Sequence, residues 1–178
     1  YPGVTSALGC VIADMRHDFV HTLNGLVATL DAPSVAAEMA RTAAAGRQLL
    51  DRAGVAFERI DTVFEFDMSY VGQTHTVAVP FAPQGAPESG AADAAAIGLT
   101  AERLAEAFEQ AYRATYGTLL EGIGMRVLNL RTAVIGRRPK FALERLAPGA
   151  DGRPVGTVDQ ARTGSRRVYA EGAWHDAA

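Results

Sequence analysis

The sequence is short of several things, and each shortage removes a class of protein. Cys10 is the only cysteine in 178 residues. No disulfide can close within the chain, and a reducing compartment, the cytoplasm, is the expectation. Long apolar runs are also missing. Nothing approaches the roughly 20 residues that a membrane-spanning helix needs, and no basic stretch followed by an apolar one opens the chain as a signal peptide would. A membrane is therefore not an expected partner. Basic residues number 17 against 20 acidic ones, for a net charge of −3. A polyanion finds no attraction there, so nucleic acid is not expected either. Lys140 is the single lysine and arginine supplies the rest of the positive charge. The chain opens Tyr1-Pro2-Gly3 without an initiator methionine, and the expectation is a processed chain or a piece of something longer.

Several chemical motifs are missing as well. There is no phosphate-binding loop and no Gly-x-Ser-x-Gly nucleophile turn. Gly122-Ile123-Gly124 has half of a dinucleotide fingerprint, but it precedes a strand and Val127 stands at the third glycine position. His17 and His21 are four apart, a spacing that suits paired metal ligands on a helix. The segment around them alternates like a strand, and no third ligand accompanies them, so no metal site is expected.

What is present is a good core. Apolar residues make up 48% of the chain and charged ones 21%, enough for one domain of ordinary globular character. Its centre is the stretch Phe64 to Gln73. Phe64, Phe66, Met68 and Tyr70 alternate with Glu65, Asp67 and Ser69, the period of a half-buried strand. Gly72 then marks a turn, and Thr74 to Phe81 alternates again until Pro80 and Pro83 end the run. The expected result is a hairpin from about Phe57 to Phe81. Its apolar face awaits helices, and its polar face gathers Asp67, Ser69 and Gln73 near the turn.

The rest is arranged around that hairpin. Residues 6 to 23 read as a first strand, with Cys10 as a small buried hydrophobe and the polar part from Asp14 onward as an exposed extension. On that strand His17, Phe19 and His21 share one face, while Arg16 and Asp18 share the other. A helix follows to Ala53, capped by Asp31 or Ser34 with Pro33 in its first turn; Gly54 stops it. Ala82 to Gly98, rich in Ala, Gly and Pro, reads as a surface loop. A second helix begins at the cap Thr100, where Leu99 can pack on Leu104, and ends at Gly117. Leu104, Phe108, Ala111, Tyr112 and Thr115 form its buried stripe. A last strand runs from Met125 to about Arg137. Residues 147 to 167 read as a linker, and Arg167-Val168-Tyr169 as the start of a strand that the chain is too short to finish.

Strand, helix, strand, strand, helix, strand predicts an α+β fold, a βαββαβ split (ferredoxin-like) sandwich. It has a mainly antiparallel sheet, two helices and an irregular C-terminal tail. The expected division is a domain over residues 1–146 and a linker or tail over 147–178. As chemistry, Asp67 is a candidate general base if desolvated. Tyr70, Gly72 and Gln73 are candidates for a polar ligand or an interface, as are His17 and Asp18.

Asp67-Met-Ser-Tyr-Val-Gly-Gln73 resembles a signature of the hydantoinase A, N-methylhydantoinase and 5-oxoprolinase family, in its C-terminal region. Ala7 to Thr22, Phe108 with Tyr116-Gly117, Val127 to Arg131, and Arg167-Val168-Tyr169 through Trp174 are similar to other segments of that region, in the same order. The family usually has arginine where this chain has Ser69. The resemblance implies a C-terminal piece of an ATP-dependent hydrolase that opens cyclic amides such as hydantoins or 5-oxoproline, with a ketone carboxylase subunit or a purely structural module as alternatives. It implies ATP and a divalent metal for the longer parent and no cofactor for this piece, which alone is expected to be inactive. It also implies an upstream ATP-binding domain, and a companion B subunit or a homo-oligomer, as partners.

Overall fold

A computed structural model of the chain describes residues 2–84, 97–140, 157, 160 and 164–177. They fall into two compact units, Tyr1–Pro139 and Lys140–Ala178. The first unit begins with helix α1, Pro2–Ile12, followed by strand β1, Met15–Leu26, and a short 3-10 turn, Val27–Thr29. Helix α2, Ala32–Arg52, strands β2, Arg59–Tyr70, and β3, Val77–Phe81, helix α3, Ala101–Tyr116, and strand β4, Met125–Arg137, complete it. The second unit contains the hairpin β5, Arg166–Ala170, and β6, Ala173–Ala177.

Strands β1 to β4 form one antiparallel sheet in the order β1-β4-β2-β3. Strands β1 and β2 run the same way with β4 between them, and β3 and β4 run the same way with β2 between them. Each helical crossover thus leaves a gap one strand wide, and a strand of the other crossover fills it. This is the expected split βαβ sandwich. Alternation sets the two faces. Phe64, Phe66, Met68 and Tyr70 of β2 and Val127 and Leu130 of β4 join one core with Met39 of α2 and Leu104, Phe108 and Tyr112 of α3.

The helices begin where their caps allow. Asp31 accepts a hydrogen bond from the Ser34 amide at 3.3 Å, and Thr100 accepts one from the Arg103 amide at 3.2 Å; each satisfies a first-turn donor that has no partner inside its helix. Helix α3 ends at Gly117 in the left-handed conformation. Leu99 and Leu104 are both buried beside the Thr100 cap, in keeping with a hydrophobic staple. Helix α2 lies close against the sheet. Thr42 on it and Thr132 on β4 share a buried hydroxyl–hydroxyl hydrogen bond of 2.9 Å. One turn further along, a side chain at Gly46 would stand 2.6 Å from Val134 Cβ and 3.2 Å from Phe19 Cε2.

Three expectations need correction. Residues 6 to 12 belong to helix α1 instead of the first strand, and Cys10 on it is exposed. A short apolar run has no period that separates helix from strand, and Pro2 suits a first helical turn. Strand alternation proper starts at Met15, and the exposed polar segment is itself β1, an edge strand paired with β4 from Met15 to Leu26. Lastly, the Arg167-Val168-Tyr169 strand is finished. It turns at Glu171-Gly172, both with positive φ, and pairs with β6, the geometry of a tight two-residue hairpin. The loop expected over 82–98 and the linker over 147–167 lie largely outside the described residues.

The contact at Gly46 yields a test. Gly46→Val should lower stability by about 1–3 kcal/mol through overpacking, measured as a lower urea midpoint at constant slope. An unchanged midpoint would mean that α2 does not rest on β4 at this point.

Candidate functional site

The sheet has two faces, and only one is filled by α2 and α3. The other carries the outward residues of all four strands. In register across it lie Asp18–Ala133–Val63, Val20–Arg131–Glu65 and Thr22–Asn129–Asp67. Ala78 and Pro80 of β3 continue the last two rows. A groove of about 380 Å³ runs over this face, with Arg16, Asp18, Glu65, Asp67 and Arg131 as its charged lining.

Asp67 is the best-held of these groups. It is only 7% exposed and accepts from Asn129 Nδ2 at 2.8 Å and from Arg131 Nε at 2.9 Å to each oxygen. Asn129 Oδ1 in turn lies 3.1 Å from the Thr22 hydroxyl, so one polar chain ties β1, β4 and β2. Burial is the largest influence on Asp67 and pushes its pKa up. The hydrogen bonds from Arg131 and Asn129, with the charge of Arg131, together outweigh it and hold the carboxyl below its ordinary value. The Arg131 guanidinium is raised in return, chiefly by its hydrogen bond to Asp67.

A general base working near neutral pH benefits from a raised pKa, and desolvation alone would have raised that of Asp67. Arg131 and Asn129 together reverse the sign, so the carboxylate form of Asp67 is favoured and both its oxygens are engaged. Asp18 is held in the same way, by the hydrogen bonds of Arg16 at 2.7 to 3.0 Å. At the far end of the sheet Arg137 bridges Asp14 and Asp61, each at 2.7 Å. Glu65 differs: among the described residues its carboxylate makes no ion pair or hydrogen bond, although Arg16 and Arg131 attract it from further off.

The other candidates lie elsewhere. Tyr70 points into the core under α3, its ring 4.9 Å from Phe108 and 4.8 Å from Tyr112 in edge-on contacts; such pairs add about 0.5–1.5 kcal/mol each beyond their buried area. Its hydroxyl accepts from the Leu120 amide at 3.4 Å. Gln73 donates to Tyr112 Oη at 2.8 Å and reaches back to the Tyr70 amide. Gly72 has φ +91° with open space beside it, so its role is to make the turn. The polar cluster expected near that turn does not assemble: Asp67 and Gln73 sit on opposite sides of the sheet. His17 also faces the helices, whereas Asp18 faces the groove. The structure brings Asp18 and Asp67 together and leaves His17, Tyr70, Gly72 and Gln73 out. Ser69, on the Asp67 face, is 1% exposed and its hydroxyl has no partner among the described residues.

Arg131, Asn129 and Arg16 were missed as site residues. The signal for the first two was their place at outward positions of the last strand, but which residue they oppose depends on register. The arginines of the groove already face aspartates, and no group of three or more His, Cys, Asp or Glu among the described residues is placed to hold a metal ion.

Residues 34–178 match the family model of the hydantoinase/oxoprolinase C-terminal domain. No curated protein matches the sequence. Among solved structures the chain is similar to the ATP-dependent caprolactamase from Pseudomonas jessenii, with TM-score 0.55 and 22% identity over 76% of this chain and 19% of that one. It is similar also to a nucleotide-free acetone carboxylase, with TM-score 0.50 and 21% identity over 97% of this chain and 24% of that one. The chain therefore spans about a fifth to a quarter of the length of these two proteins, and at such identities the likeness is one of fold.

Asp67→Asn tests the locked carboxylate. It should cost about 1.5–3 kcal/mol at neutral pH, the range for a charge-assisted hydrogen bond. A carboxyl held low in the folded state stabilises fully above its ordinary value of 3.8 and loses that contribution as the pH falls through the folded value. The gap between the parent chain and Asp67→Asn should thus close in acid, read by urea unfolding from pH 7 downward. A gap that stays constant would show that Asp67 is not ionised in the fold.

Proposed function

Because the chain belongs to the hydantoinase/oxoprolinase family as its C-terminal domain, we propose that it is the C-terminal scaffold of an ATP-dependent enzyme that opens cyclic amides. On this reading the ATP and ring chemistry is performed by other parts of that enzyme, and this domain holds neighbouring domains or a companion subunit in place. The observation that carries the reading is the state of Asp67. The acid of the family signature is bound by Arg131 and Asn129 across two strands, which suits a strut better than a proton acceptor. The lactam named for the caprolactamase supports a cyclic amide as substrate class, with hydantoins and 5-oxoproline as candidates.

A second reading, a subunit of a ketone carboxylase, draws on the acetone carboxylase likeness, which extends over 97% of the chain. Both are separable by one set of assays. The full-length polypeptide should form ADP together with ring-opened product when given ATP and a hydantoin, 5-oxoproline or a lactam, and the 178-residue chain alone should form none. ADP formation by the isolated chain would overturn the scaffold role. ATP turnover that needs a ketone and bicarbonate, without ring opening, would favour the carboxylase.

A strut also has a kinetic signature. Arg131→Ala in the full-length enzyme should lower its unfolding temperature and leave KM for the ring substrate unchanged. A raised KM at unchanged unfolding temperature would place Arg131 in substrate binding instead.

A further inference from the structure

The open sheet face combines three properties that rarely meet on a surface meant for water. Its charges are mostly neutralised in place: Arg16 by Asp18, Arg131 by Asp67, and Arg137 by Asp14 and Asp61. Its apolar residues are conspicuous, with Val20 56% and Val63 47% exposed, Val20 at the end of the row that Arg131 and Glu65 share and Val63 in the adjoining row. It is also concave over about 380 Å³. A face whose ions are already paired can be covered without stranding them, which is the main cost of burying charge. Glu65 is the exception. Two guanidiniums face three carboxylates in the groove, so one negative charge is left over, and it belongs to the carboxylate without an ion pair.

We propose that this face is the seat of another segment of the longer polypeptide, one that lays apolar side chains on Val20 and Val63 and brings one lysine or arginine to Glu65. The inference rests on the family reading, in which a C-terminal domain has other domains ahead of it, and it names the surface through which the scaffold works. Charge complementarity selects the occupant. A second copy of this chain would present the same surplus negative charge in its groove, where Arg16 and Arg131 are already committed to Asp18 and Asp67. An element with an uncommitted cation satisfies Glu65, and burial makes that pair more valuable than it would be in water. The size of the solved relatives, about four times this chain by the shares covered, supplies ample polypeptide for the role.

The test uses the full-length protein with the photoreactive residue p-benzoylphenylalanine at Val63, and a control at the exposed Arg113 of α3. Irradiation and peptide mass spectrometry should place the Val63 cross-link within the same polypeptide, in a segment preceding residue 1 that contains a lysine or arginine. Glu65→Gln should reduce its yield, and Glu65→Lys should reduce it about tenfold, the ratio for roughly 1.4 kcal/mol. The circular dichroism of the isolated chain should be unaffected by either change, which excludes misfolding as the cause. Cross-links to a second copy or to a separate subunit would overturn the proposal, as would a yield no higher than the control or one indifferent to Glu65. A full-length protein that gives the cross-link but opens no cyclic amide would refute the proposed function and leave the docking face standing.

Discussion

Strands β1 and β2 cannot pair with each other, because the α2 crossover sets them one strand apart, and everything else in the first unit follows from that gap. Only β4 can close it, and β4 is 13 residues long and comes last in the sheet. Until it arrives, the inward residues of β1 and β2 share no ladder. The sheet is therefore built from pairings far apart in sequence, which ties its formation to slow, non-local contacts. It also explains why β4 carries the polar residues that fasten both neighbours. Asn129 lies between Thr22 and Asp67, and Thr132 meets α2 from below.

The stretch Asp67 to Gln73 is a compact signature in sequence and a divided one in space. Strand alternation sends Asp67 to the open face and Tyr70 to the core, and the turn at Gly72 returns Gln73 to Tyr112. Each fragment then fastens a different layer: the acid joins strands, while the tyrosine and glutamine anchor α3 to the sheet. A motif of this sort identifies a fold by the joints it makes. That view agrees with the replacement of the family arginine by Ser69, at a buried position where the serine hydroxyl makes no hydrogen bond among the described residues.

How much of this was legible in the sequence varies with the range of the interaction. Helix caps at Asp31 and Thr100 and the span of β4 could be read directly, since they depend on neighbours a few residues away. The faces of β1 and β2 followed from alternation. Residues 6 to 12 misled, because an apolar run with no polar punctuation fits either backbone equally well. The pairing of Asp67 with Arg131 was out of reach for a different reason. It depends on a register between strands 64 residues apart, and a shift of a single residue would turn Arg131 to the opposite face. The sign of the Asp67 pKa shift was lost with it.

The two scarcest reactive groups in the chain fall in different units. Cys10 is exposed on α1 in the first unit, and Lys140, also exposed, opens the second. Each is the sole side chain of its kind. A thiol reagent and an amine reagent therefore address the two units separately without any substitution, once the α-amino group, which ionises roughly two to three pH units lower than a lysine, is blocked first. The chain is in that sense already prepared for a distance measurement between its two units.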